Sequence, residues 1–123
     1  MRPMNRLPEA LLQHLRDPRH VGEPAGGATH RGEAQNPACR DLLVIFLRVE
    51  EGCVGAAGFQ ATGCPAALGM SSAATELLPG LVLGAGLPEQ LRERFVEAYG
   101  EPEAMHRHAL NLLMEAVSNA VRG

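Results

Sequence analysis

Asp41–Val49 (DLLVIFLRV), Glu50-Glu51-Gly52 and Cys53–Thr62 (CVGAAGFQAT) decide the fold. The first segment is aliphatic, rich in β-branched residues and apolar on both faces, which predicts a buried strand. Glu50-Glu51-Gly52 is turn chemistry. The second segment reads as the returning strand of a hairpin, weakened by Gly55 and Gly58 and ending at Gly63. An antiparallel hairpin brings the residue before its first strand close to the residue after its second. Cys39 and Cys64 occupy those two places, so two cysteines distant in sequence become neighbours. Cys53 sits at the turn end, roughly 30 Å away at the rise of a strand, and reads as a small apolar strand residue.

Working outward, Leu7-Pro8-Glu9 opens a short helix with Leu7, Leu11, Leu12 and Leu15 as its apolar stripe, closed by Asp17-Pro18. Residues Gly22 to Gly32 are rich in glycine and read as loop, with a weak signal for a short edge strand around Thr29–Gly32. After Cys64, Pro65 suits a first helical position, and Ala66, Ala67, Met70, Ala73, Ala74 and Leu77 share one face until Pro79-Gly80. Leu81–Gly86 is a connector. Pro88–Tyr99 is amphipathic, with Leu91, Phe95 and Ala98 inward and Gly100 at its C-terminal cap. Pro102, flanked by Glu101 and Glu103, favours a new helix start. Met105, Ala109, Leu112, Leu113, Ala116, Val117, Ala120 and Val121 give a long core stripe. Helix, strands, then helices predict an α+β domain: a small antiparallel sheet of about three strands, helices on one face and a long C-terminal helix. Its 123 residues suit one domain, 1–123.

Composition narrows the chemistry. Aromatic residues are Phe46, Phe59, Phe95 and Tyr99 alone, so the core must be built from Leu, Val, Ala and Met. All basic residues are Arg or His, which excludes a lysine nucleophile or Schiff base. A net charge of −3 argues against a nucleic-acid partner. The longest apolar runs are far shorter than a membrane span. An odd number of cysteines without a secretory leader reads as reduced thiols in the cytoplasm.

Two further signals bear on the site. Cys64 precedes a helix, where the dipole and free N–H groups favour a thiolate, the metal-binding and nucleophilic form. Cys39 and Asp41 are two apart at the head of a strand and can point the same way toward one ion. His106 and His108 open the last helix and cannot share a face well, so one of them at most belongs with the cysteines.

Three stretches stand out as signatures: His14-Leu15-Arg16-Asp17-Pro18-Arg19-His20-Val21-Gly22, Pro37-Ala38-Cys39-Arg40-Asp41, and Gly63-Cys64-Pro65-Ala66 through Ser71-Ser72. In them the chain resembles the iron–sulfur cluster assembly scaffold family of the IscU/NifU N-terminal type, with Arg40 in place of the usual Gly. In the ungapped register His108 takes the family's histidine and Ala109 its third cysteine. The resemblance implies a metal set of Cys39, Asp41, Cys64 and His108, suited to zinc or iron and to a labile [2Fe–2S] cluster with Cys39 and Cys64 as its thiolates. It also implies sulfur from a cysteine desulfurase, delivery to recipient apo-proteins, and a scaffold rather than an enzyme. The family's Leu-Pro-Pro-Val-Lys chaperone segment is absent. The connector between Cys64 and the last helix lacks the insertion of the zinc-dependent branch. Two alternatives remain: a zinc-dependent persulfide relay on Cys64, and a metal-binding module that has lost cluster assembly.

Overall fold

The computed structural model describes residues 7–36 and 40–122. Cys39 therefore lies outside the described residues. The elements are α1 (Glu9–Arg16), β1 (His30–Asn36), β2 (Asp41–Glu50), β3 (Cys53–Thr62), α2 (Pro65–Leu77), α3 (Leu87–Tyr99), a 3₁₀ turn (Ala104–His106) and α4 (Arg107–Val121). The strands form one antiparallel sheet in the order β1-β2-β3, and the α+β reading holds.

Pairing Gly32 with Ile45 and Ile45 with Phe59 aligns one face of the sheet. Alternation then sends Ala34, Leu43, Leu47 and Ala57 to that face, where they are buried with Ile45 and Phe59. Helix α4 packs over β1 and β2, α2 over β3, and α1 and α3 against the helical layer. Each large core side chain buried in this way contributes about 1.5–3 kcal/mol. The hairpin turns at Glu51 and Gly52, both with positive φ (52° and 78°), the combination that matches strand twist. Gly55 is the extra residue of a bulge, because Arg48 pairs with Ala56 and Val49 with Val54.

Several expectations need correction. The edge strand runs His30–Asn36 rather than Thr29–Gly32. Its sequence, HRGEAQN, lacks β-branched residues because only Gly32 and Ala34 face the core. Gly32 is required there: a Cβ would overlap the α4 backbone at Ala116 and Ala120. Ala98 is exposed, since Tyr99, packed 5.1 Å from Phe95, covers that end instead. Met105 is 53% exposed because it sits in the 3₁₀ turn, whose tighter winding rotates it off the stripe of α4. Leu110, absent from the expected stripe, is buried.

The segment after α1 covers part of the outer edge of β3. Gly22 N–H donates to the Phe59 carbonyl (2.7 Å) and Phe59 N–H to the His20 carbonyl (3.1 Å). Gly58 permits this approach, since a Cβ would overlap the Gly22 carbonyl. Nearer the turn, Val54 N–H donates to the Leu81 carbonyl (2.9 Å) and Gly80 N–H to the Val54 carbonyl (2.8 Å). Between α1 and α2, Ser72 Oγ accepts Arg19 N–H at 2.7 Å and lies 2.8 Å from His14 Nδ1. A hydroxyl that accepts one N–H can donate its own proton to Nδ1. That leaves the proton of a neutral His14 on Nε2, toward Glu76 Oε1 (3.2 Å) and Tyr99 OH (3.3 Å). Burial pulls the His14 pKa down, only partly offset by the Glu76 carboxylate, so the neutral ring is favoured. Among the described residues no helix is long and apolar enough to cross a membrane.

Candidate metal centre

Three elements deliver one ligand each to the same corner. Asp41 is the first residue of β2 and is almost fully buried. The antiparallel pairing of Leu42 with Thr62 sets it beside the end of β3. There Gly63, at φ +115°, turns the chain, and Cys64 becomes the N-cap of α2. Cys64 N–H donates to Asp41 Oδ1 at 2.9 Å, while Ala67 N–H donates to Cys64 Sγ at 3.4 Å. His108, in the first turn of α4, places Nε2 3.6 Å from Cys64 Sγ and 3.7 Å from Asp41 Oδ2.

Ligand atoms of Asp41, Cys64 and His108 all lie within 4.8 Å of one another. A tetrahedral ion with bonds of ~2.0–2.3 Å sets its ligands ~3.3–3.8 Å apart, so the two histidine distances are already those of a coordination edge. Among the described residues Asp41 Oδ2 has no hydrogen-bond partner although it is buried. The contact with His108 is too long for a hydrogen bond and counts as an ion pair only if the ring is protonated. A buried carboxylate oxygen left unpaired is costly, and a cation relieves that cost.

The thiol differs from its sequence reading. Burial pushes the Cys64 pKa up, the Ala67 N–H offsets only part of this, and the Asp41 carboxylate adds to the rise. The helix terminus alone predicts a thiolate, but desolvation and the adjacent anion outweigh it. A bound cation reverses that balance by expelling the proton.

From sequence Gly63 reads as the end of a strand and as the first residue of the Gly63-Cys64-Pro65-Ala66 motif. A Cβ there would overlap Asp41 Oδ1 and lie 2.8 Å from Asp41 Cα. Glycine is thus what lets the carboxylate stand under the Cys64 loop, and its signal was its place directly before Cys64. Arg40, one residue before Asp41, has φ +58°, a conformation that a glycine takes without strain.

The other candidates lie elsewhere. His106 is half-buried in a groove with Leu7, Leu11, Phe95 and Tyr99. Cys53 pairs with Glu50 at the turn and bridges Val82. Cys39, two residues before Asp41, is outside the described residues. Ala109 is fully buried. Of the three ligands, His108 borders a shallow groove that it shares with Asn36, Asn111 and Glu115.

Comparison with known proteins gives the family and the fold. The family model of the NifU-like N-terminal domain matches residues 7–123. An Archaeoglobus fulgidus protein named iron-sulfur cluster assembly scaffold protein IscU 1 is 33% identical over 92% of this chain and 72% of its own. An Aquifex aeolicus protein named iron-sulfur cluster assembly scaffold protein IscU is 31% identical over 93% and 73%. The crystal structure of the N-terminal part of a nitrogen-fixing NifU-like protein from Brucella abortus superposes with a TM-score of 0.72 at 17% identity, covering 94% of this chain and 91% of that one, which speaks for the fold. With a family model spanning nearly the whole chain, the protein belongs to the NifU-like N-terminal domain family.

Proposed function

We propose that this chain is a scaffold on which an iron–sulfur cluster is assembled and from which it is handed on. The observation that carries the reading is the convergence of Cys64 Sγ, His108 Nε2 and the buried Asp41 Oδ2, which has no hydrogen-bond partner among the described residues. Cys39, near Asp41 in sequence, supplies the fourth ligand and the second thiolate. The names of the relatives support cluster assembly as the use of such a site. Sulfur comes from a cysteine desulfurase, and recipient apo-proteins take the product. The whole chain, 1–123, works as one domain in the cytoplasm, as a carrier rather than an enzyme.

The donor set shapes what it holds. Two thiolates with one carboxylate and one imidazole suit iron or zinc as a single ion, and they hold a [2Fe–2S] cluster less firmly than four thiolates do. Ala109 has no donor to add. A labile cluster suits a protein that gives its cargo away.

The test is anaerobic reconstitution with ferrous iron, cysteine and a cysteine desulfurase, followed by visible absorption and by transfer to an apo-ferredoxin. Expected are thiolate-to-iron bands that fade as the ferredoxin gains its own. The Ala109→Cys variant should keep its cluster longer and transfer it more slowly. A chain that gains no thiolate-to-iron absorption, or that gains it equally after Cys64→Ser, is not such a scaffold.

A further inference from the structure

The outer edge of β3 is covered in two places, with a gap between them. His20 and Gly22 bond both backbone groups of Phe59, and Gly80 and Leu81 bond both of Val54. These bonds fix the phase of the strand. Phe59 and Val54 face outward, so Gly58 and Ala56 bond toward β2 and Ala57 faces outward again. Among the described residues nothing bonds the Ala57 N–H or C=O, although Ala57 is only 3% exposed. Buried backbone groups are paired in nearly all proteins.

The gap opens into a cavity of about 530 Å³ between β3, the start of α2's C-terminal turn and the loop after His20. Its floor includes Ala57. His20, Thr75 and Pro79 form walls, and Glu23 and Glu76 contribute carboxylates. Thr75 Oγ1 holds His20 Nδ1 at 3.0 Å. Among the described residues no arginine lines the cavity, and the nearby Arg48 is engaged with Glu50 (3.1 Å) and with the Ala25 carbonyl.

We infer that this cavity binds one basic residue of an extended partner segment. The N–H of that residue donates to the Ala57 carbonyl and its C=O accepts the Ala57 N–H. Its cationic side chain lies toward Glu23 and Glu76. An extended segment meets a strand edge through main-chain bonds and gains specificity from a side-chain pocket. The carboxylates select a cation over a neutral or acidic residue. None of the lining residues is a candidate metal ligand, so the inference stands apart from the cargo reading.

The test uses the full chain, ¹⁵N-labelled, titrated with acetyl-Ala-Arg-Ala-amide and followed by amide chemical shifts. The Ala57 N–H should move downfield as it gains an acceptor, saturably. Citrulline in place of Arg should weaken binding about tenfold, as should Glu23→Gln in the protein. Methylating the arginine amide nitrogen should weaken it further by removing the donor to the Ala57 carbonyl. Absence of a saturable shift overturns the inference, as does binding that leaves Ala57 unmoved or that treats arginine and citrulline alike.

Discussion

Replacing Gly63 with alanine separates what the site needs from what any tight turn needs. At φ +115° an L-residue is strained, at a cost of order 1–3 kcal/mol. The added methyl would also overlap Asp41 Oδ1 and approach Asp41 Cγ to 2.9 Å. Asp41 is buried at the head of a paired strand and cannot swing into water, so the loop must move away from it. That breaks the 2.9 Å bond from Cys64 N–H to the carboxylate, a charge-assisted bond worth about 1.5–3 kcal/mol. Gly80 is the control: its φ is +93° and a Cβ there meets nothing within 4 Å, so Gly80→Ala carries the strain alone. Urea unfolding followed by circular dichroism should show Gly63→Ala less stable than Gly80→Ala by about 2 kcal/mol. Zinc affinity should fall in the first variant and stay at the wild-type level in the second. Equal stabilities, with zinc affinity intact in both, would mean that the Gly63–Asp41 approach does not shape the site.

Two other outcomes follow from the same geometry. Arg40→Gly relieves a left-handed residue at φ +58° and, after the greater freedom of glycine in the unfolded chain, should raise unfolding stability by about 0.5–1 kcal/mol; a fall in the urea midpoint would show that the arginine side chain contributes more than its backbone costs. His14 has a folded pKa below its unfolded value, so the unfolded chain binds the extra proton as pH falls through about 6.5, and the stability His14 provides is present above that pH and lost below it. Urea midpoints taken on either side of that pH should therefore drop more steeply on acidification for wild type than for His14→Asn, and parallel slopes would show that His14 is not the group responsible.

The hairpin was legible because β2 is apolar on both faces and Glu51-Gly52 is turn chemistry; that alone set the start of β2 beside the end of β3. Strand β1 was not, because pairing with β2 and close packing beneath α4 hold HRGEAQN in place, and local propensity has no signal for either. His108 could be singled out over His106 only through the family register, since spacing says that two residues diverge on a helix and not which one turns inward. The protonation state of Cys64 was misread because the helix terminus is visible in sequence, whereas burial and the Asp41 carboxylate beside the thiol are not. His14 and Ser72 stood in two separate family motifs; their contact, 58 positions apart in the chain, is tertiary and joins α1 to α2.

The central claim is that Asp41, Cys64 and His108 hold one metal ion together, with Cys39 completing the set. Cobalt(II) titration of the reduced protein under argon tests it most directly, because tetrahedral cobalt absorbs strongly in the visible and each thiolate adds charge-transfer intensity in the near ultraviolet. One equivalent should produce both signatures. Cys64→Ser and Cys39→Ser should each remove about half of the charge-transfer intensity, in keeping with two thiolates in a four-ligand site. Asp41→Asn and His108→Ala should weaken binding, while Cys53→Ser and His106→Ala leave the spectrum unchanged. A spectrum like that of cobalt in water, or one indifferent to Cys64→Ser and His108→Ala, would contradict the account.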